Sequence, residues 1–219
     1  MPGIRVVTDS ACDLPQALAE EHRIEIVPLT IRFGDEEFVD RRDLSPKEFW
    51  ARSAGSPVLP ETAAPSAGAF EEAFRKLAGE GADGIVCVTI SSALSATHQA
   101  AALAAKSVAD EIPVRVVDSK AVTMAEGLQA LAAAEMAEQG KGLDDCAGAL
   151  EDLVDRSRIY ATLDTLENLK KGGRIGGAQA MIGSLLSIKP VIELNEGVVG
   201  EESKQCTRSK ALRYLVEKV

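Results

Sequence analysis

The sequence predicts an α/β protein. An N-terminal domain at residues 1–157 is expected to carry a mainly parallel sheet flanked by helices, followed by a smaller α+β domain at 158–219. Three observations carry this reading. Apolar runs bounded by turn residues occur at 4–7, 24–33, 85–90 and 114–117, as strands require. Segments of helical periodicity separate most of these runs, and that alternation is the pattern of βαβ units. From "RIYATLDTLENLKKGGRIGG" onwards the composition shifts, and "KPVIELNEGVVGEE" alternates around Asn195, Glu196 and Gly197 as a hairpin does.

The elements follow in chain order. The run at 4–7 reads as the first strand and passes into the polar segment "TDSACD". Within "IRFGDEEFVD", Gly34 and Asp35 separate two short alternating runs, so a hairpin and an antiparallel edge are expected there. In "LSPKEFWARS", Ser45 is a candidate N-cap and Pro46 suits the first helical position. Trp50, the single tryptophan, is read as a packing residue of that helix. Residues 54–68 are rich in Pro, Gly, Ser and Ala and predict a long loop, either a binding loop or a linker, ending at Ser66 as the next N-cap. "GIVCV" predicts a buried strand that ends at Ser91 and Ser92 before an alanine-rich helix. After the strand at 114–117, "SKAVTMAEGLQALAAAEMAEQG" predicts a long helix and "LDDCAGALEDLVDRS" another.

Composition excludes several functions. Against 34 Asp plus Glu stand 24 Lys plus Arg, and a net charge of -10 repels nucleic acid and anionic membrane surfaces. No apolar run approaches the ~18 residues of a membrane span, and no basic leader precedes an apolar stretch, which predicts a cytoplasmic protein. Cys12, Cys87, Cys146 and Cys206 form no CxxC pair and are read as reduced thiols. His22 and His98 are the only histidines, too few with such dispersed cysteines for a zinc site.

The chemistry is expected at the carboxyl ends of the strands, where open α/β sheets bind ligands. Asp9, Ser10, Ser91, Ser92, Asp118 and Ser119 lie in three such strand-to-helix junctions. Each alone reads as an ordinary N-cap; their repetition points to a crevice suited to an anionic headgroup. A Ser–His nucleophile is not favoured, because His98 lies six or seven residues past the serines and no GxSxG elbow accompanies them. "KKGGRIGG" fits neither GxGxxG nor GxxxxGK[ST], and Lys170, Lys171 and Arg174 read equally as a basic cluster answering a helix dipole.

Five segments, in order, resemble the DegV family of fatty-acid-binding proteins: "VVTDSACDLP", "ETAAPS" in place of the usual TSQPS, "ISSALSATHQAA", "VVDSKAVTMAEG" and "TLENLKKGGRIGGAQAMIGSLLSIKPVIELNEG". The resemblance implies an α/β domain, an α+β domain and a long-chain fatty acid between them, with no catalytic residue, metal or cofactor. It implies that Thr62, Ser92 and, second to it, Ser91 hold the carboxylate, with Asp9, Ser10, Ser119 and Arg174 as further residues near the headgroup. Small residues in "AAPSAGAF" and "GGAQAMIGSLL" would leave room for the tail. A separate fatty acid kinase would then make the acyl phosphate, although Cys206 stands where relatives carry an Arg linked to that docking. The chain ends at Val219 inside the last helix, where family members continue; the expected consequence is a truncated second sheet whose edge a homodimer would cover. The alternatives are an enzyme acting on a small phosphorylated or carboxylated metabolite, and an interaction module without a ligand.

Overall fold

The computed structural model describes residues 3–184 and 188–218 and divides into two compact units, Met1–Ser157 and Arg158–Val219. In the first unit, β1 (Ile4–Asp9), β2 (Glu25–Val27), β6 (Gly84–Thr89) and β7 (Val114–Asp118) form an all-parallel sheet in the order β2-β1-β6-β7. Period-2 alternation sends neighbouring side chains to opposite faces. Val6, Val86 and Val88 pack with Ala130, Ala133, Cys146 and Leu150 of α5 (Met124–Glu138) and α6 (Leu143–Arg156). Val7, Ile85 and Cys87 pack with Phe70, Phe74, Ala101 and Ala104 of α3 (Ala67–Gly79) and α4 (Thr97–Ser107). Every residue of β6 is buried, as a central parallel strand covered on both faces must be.

The apolar run at 24–33 is not one strand. It breaks at Pro28, which has no N–H to give a ladder, while the Leu29 amide donates to Ser10 Oγ at 3.0 Å. Beyond the break, β3 (Thr30–Phe33) joins a separate antiparallel sheet with β4 (Glu36–Val39) and β5 (Glu61–Ala63), in the order β4-β3-β5. The hairpin expected at Gly34 is present, with Gly34 at φ +62°, but it belongs to this small sheet and makes no edge of the parallel one. Residues 54–68 are likewise not all loop, because β5 pairs with β3 and Arg32 forms an ion pair with Glu61 across that pairing.

The helix at Ser45 forms as read: α2 (Pro46–Gly55) opens with a capping box between Ser45 and Glu48. Trp50 does not pack as expected and is 69 % exposed. Phe49, one residue earlier and about 100° round the helix, takes the inward position against Phe33, while Trp50 leans edge-on to Phe49 at 5.1 Å.

In the second unit, β8 (Ile159–Thr162), β9 (Lys189–Asn195) and β10 (Val198–Gln205) form an antiparallel sheet in the order β10-β9-β8, with a turn at Glu196 and Gly197. The short α7 (Glu167–Lys171) and the longer α8 (Arg208–Lys218) complete it. Lys218 bonds Glu202 and lies over the rings of Tyr160 and Tyr214, which ties α8 to this sheet. Leu185 and Leu186, the end of the small-residue segment "GGAQAMIGSLL", lie outside the described residues, as does Ser187 after them. No helix among the described residues is long and apolar enough to cross a membrane.

Candidate functional site

Because β1, β6 and β7 run parallel and adjacent, their carboxyl ends bring "TDSACD", "SSALSAT" and "DSKAVT" to one edge of the sheet. Most of the polar residues expected there are buried and bonded to backbone. Asp9 Oδ1 accepts from Ala11 N at 3.0 Å and Oδ2 from Ile90 N at 2.8 Å, so one carboxylate joins the ends of β1 and β6. Ser10 Oγ takes the Leu29 amide. Ser91 is buried, with its N–H donating to Ala121 O at 2.8 Å and its Oγ accepting from Ala93 N at 3.2 Å. Ser119 Oγ accepts from Ala121 N at 3.0 Å, and its own N–H donates to Thr89 O at 3.1 Å. Neither serine of the pair caps α4, which starts five residues later at Thr97, with Ser95 Oγ accepting the Thr97 amide.

Ser92 differs in being exposed. Its Oγ donates to Asp118 Oδ2 at 2.5 Å and its N–H to Oδ1 at 3.2 Å, and Oδ1 also accepts from Lys120 N at 3.0 Å. Thr62 is exposed too and sits in the middle of β5, opposite Ile31 of β3. Arg174 belongs to the second unit, where its guanidinium donates to Gly172 O at 2.5 Å. His98 Nδ1 meets Thr89 Oγ1 at 3.2 Å, so its contact is a threonine of β6 rather than either serine. Among the described residues no group of His, Cys, Asp or Glu is arranged to hold a metal ion.

One residue at this edge escaped the sequence reading. Glu126, in the first turn of α5, is fully buried and accepts from Thr8 Oγ1 at 3.1 Å. Burial first and the Asp9 charge second push its carboxyl well above the usual carboxylate range. Burial raises Asp9 as well, against the two amides that favour its charged form. Both carboxyls are thus pushed toward the protonated form, Glu126 further than Asp9. The signal lay in the spacing, since Glu126, Gln129, Ala130 and Ala133 share the buried helical face. α5 lies so close to the turn after β1 that a Cβ on Gly127 would meet Cys12 O at 2.5 Å.

The family model for DegV, described as an uncharacterised protein family, matches residues 3–219. The chain belongs to the DegV family. A DegV domain-containing protein of Streptomyces coelicolor is 41% identical over 215 residues, 98% of this chain and 75% of that protein. Solved DegV-family structures are close in shape as well. One from Thermus thermophilus, described as fatty-acid binding, has a TM-score of 0.91 at 36% identity and covers 99% of this chain and 76% of its own. DegV from Bacillus subtilis, described as a fatty acid binding protein, reaches 0.90 at 33% identity over 100% and 77%. A stearic acid-binding protein from Eubacterium ventriosum reaches 0.89 at 31% over 98% and 75%. In this DegV-family chain the exposed hydroxyls of Thr62 and Ser92 stand apart from the buried Ser10, Ser91 and Ser119.

Proposed function

We propose that this protein binds a long-chain fatty acid without transforming it, and that the Thr62 and Ser92 hydroxyls hold its carboxyl group. The observation that carries the reading is the likeness, across nearly the whole chain, to solved DegV-family proteins that are themselves described as fatty-acid binding. The site chemistry supports it. Thr62 and Ser92 are exposed hydroxyls, while Ser10, Ser91 and Ser119 are committed to backbone amides. Each buried methylene contributes about 0.8 kcal/mol, or roughly 10 for a long acyl chain, against about 0.5–1.5 for an ordinary hydrogen bond. The tail supplies affinity and the hydroxyls supply orientation. A carboxyl group held this way suits presentation to a separate kinase that makes the acyl phosphate.

Mass spectrometry of the denatured protein, purified from cells, is expected to release a long-chain fatty acid. Finding none, together with no uptake of added palmitate or oleate, overturns the proposal. Thr62→Ala combined with Ser92→Ala is expected to weaken binding about tenfold or more; unchanged affinity in a titration removes these two residues from the site.

A further inference from the structure

Ser92 has one hydroxyl hydrogen, and in this structure it points to Asp118 Oδ2 at 2.5 Å. The Asp118 side chain is built to receive it, because Oδ1 is occupied by the amides of Ser92 and Lys120 at 3.2 and 3.0 Å. The backbone of the loop after β6 is thereby tied to the end of β7. A hydroxyl whose hydrogen is committed can offer a ligand only its lone pairs. The charge at this edge acts the same way. Asp9 and Asp118 are acidic, while the Arg41 guanidinium donates to Leu14 O at 2.6 Å and Ser10 O at 3.2 Å and lies 3.8 Å from Asp13, and Lys120 Nζ lies 3.9 Å from Asp155. Resting on the fatty-acid reading above, we propose that Asp118 is a specificity-determining positioning residue that turns Ser92 into an acceptor. The site then selects a lipid headgroup that brings its own hydrogen, a protonated carboxyl or an alcohol, over a bare carboxylate.

The test compares three ligands of equal chain length, stearic acid, stearyl alcohol and methyl stearate, at one mildly alkaline pH. With the wild-type protein the alcohol is expected to bind about tenfold tighter than the ester, which has no hydrogen to donate. Equal affinities overturn the inference without any variant being needed. Asp118→Asn places an amide donor against Ser92 Oγ and frees the hydroxyl hydrogen. Its ratio of acid to alcohol affinity is expected to rise about tenfold, and Ser92→Ala is expected to abolish that change in the double variant. A ratio that Asp118→Asn leaves unchanged, or a change that persists without Ser92, overturns the inference while binding of stearic acid still upholds the fatty-acid reading. Failure of the wild-type protein to bind any of the three lipids overturns both.

Discussion

Asp9 accepts two backbone amides with its two oxygens, and Glu126 beside it has no comparable set of donors. That asymmetry raises the Glu126 carboxyl further than that of Asp9. Because the folded protein holds the Glu126 proton above the ordinary value of 4.5, the unfolded chain binds fewer protons than the folded one once pH exceeds that value. Stability therefore falls as pH rises from about 4.5 toward the raised folded value, and levels off beyond it. Glu126→Gln, which mimics the protonated form, is expected to flatten this dependence. Its melting temperature at pH 8 should rise by a few degrees over wild type, roughly 2–4 °C per kcal/mol for a chain of this size, with little change at pH 5. Thermal melts across this range check it, and parallel wild-type and variant curves would refute it. Sequence spacing could place Glu126 on a helix, but only the packing of α5 on β1 shows that its carboxyl is enclosed, because burial depends on a partner distant in the chain.

The elements were legible in the sequence wherever a local rule governed them. The β6 run, the Ser45 capping box and the Gly34 turn each follow from neighbours within a few residues. The misreadings fall where a distant strand decided the outcome. Thr62 reads as loop until β3 pairs with β5, and the run at 24–33 reads as one strand until its two halves are claimed by different sheets. Thr123 is another such case. It precedes α5 at φ 59° and ψ -151°, a conformation that L side chains scarcely adopt, and its N–H donates to Ala11 O at 2.9 Å. Contact with the turn after β1 holds it there. Thr123→Gly is expected to relieve strain of about 1–3 kcal/mol against a backbone-entropy cost of about 0.5–1. The net gain, about 1 kcal/mol, should raise the urea midpoint; an unchanged or lower midpoint would show that the conformation is not strained.

At the scale of the whole molecule, the chain divides into two compact units between Ser157 and Arg158. The clusters around the parallel sheet, and the smaller one of Ile31, Phe33 and Leu44, draw every member from the first unit. Residues 1–157 alone are therefore expected to unfold in one cooperative transition, with a urea slope of roughly 1–3 kcal/mol/M. Circular dichroism is the measurement, and a broad, non-cooperative melt would show that the first unit depends on the second. By itself the sequence determined the α/β class, the order of strands and helices along most of the chain and, through its DegV-like segments, the family. These rest on periodicity and local turn chemistry, which act over a few residues. Only the tertiary structure decided which hydroxyls are buried, that Asp118 holds the Ser92 hydrogen and that the Glu126 carboxyl is enclosed. Those depend on strand order and on helices packing across the sheet, which place side chains far apart in the chain within a hydrogen bond of each other.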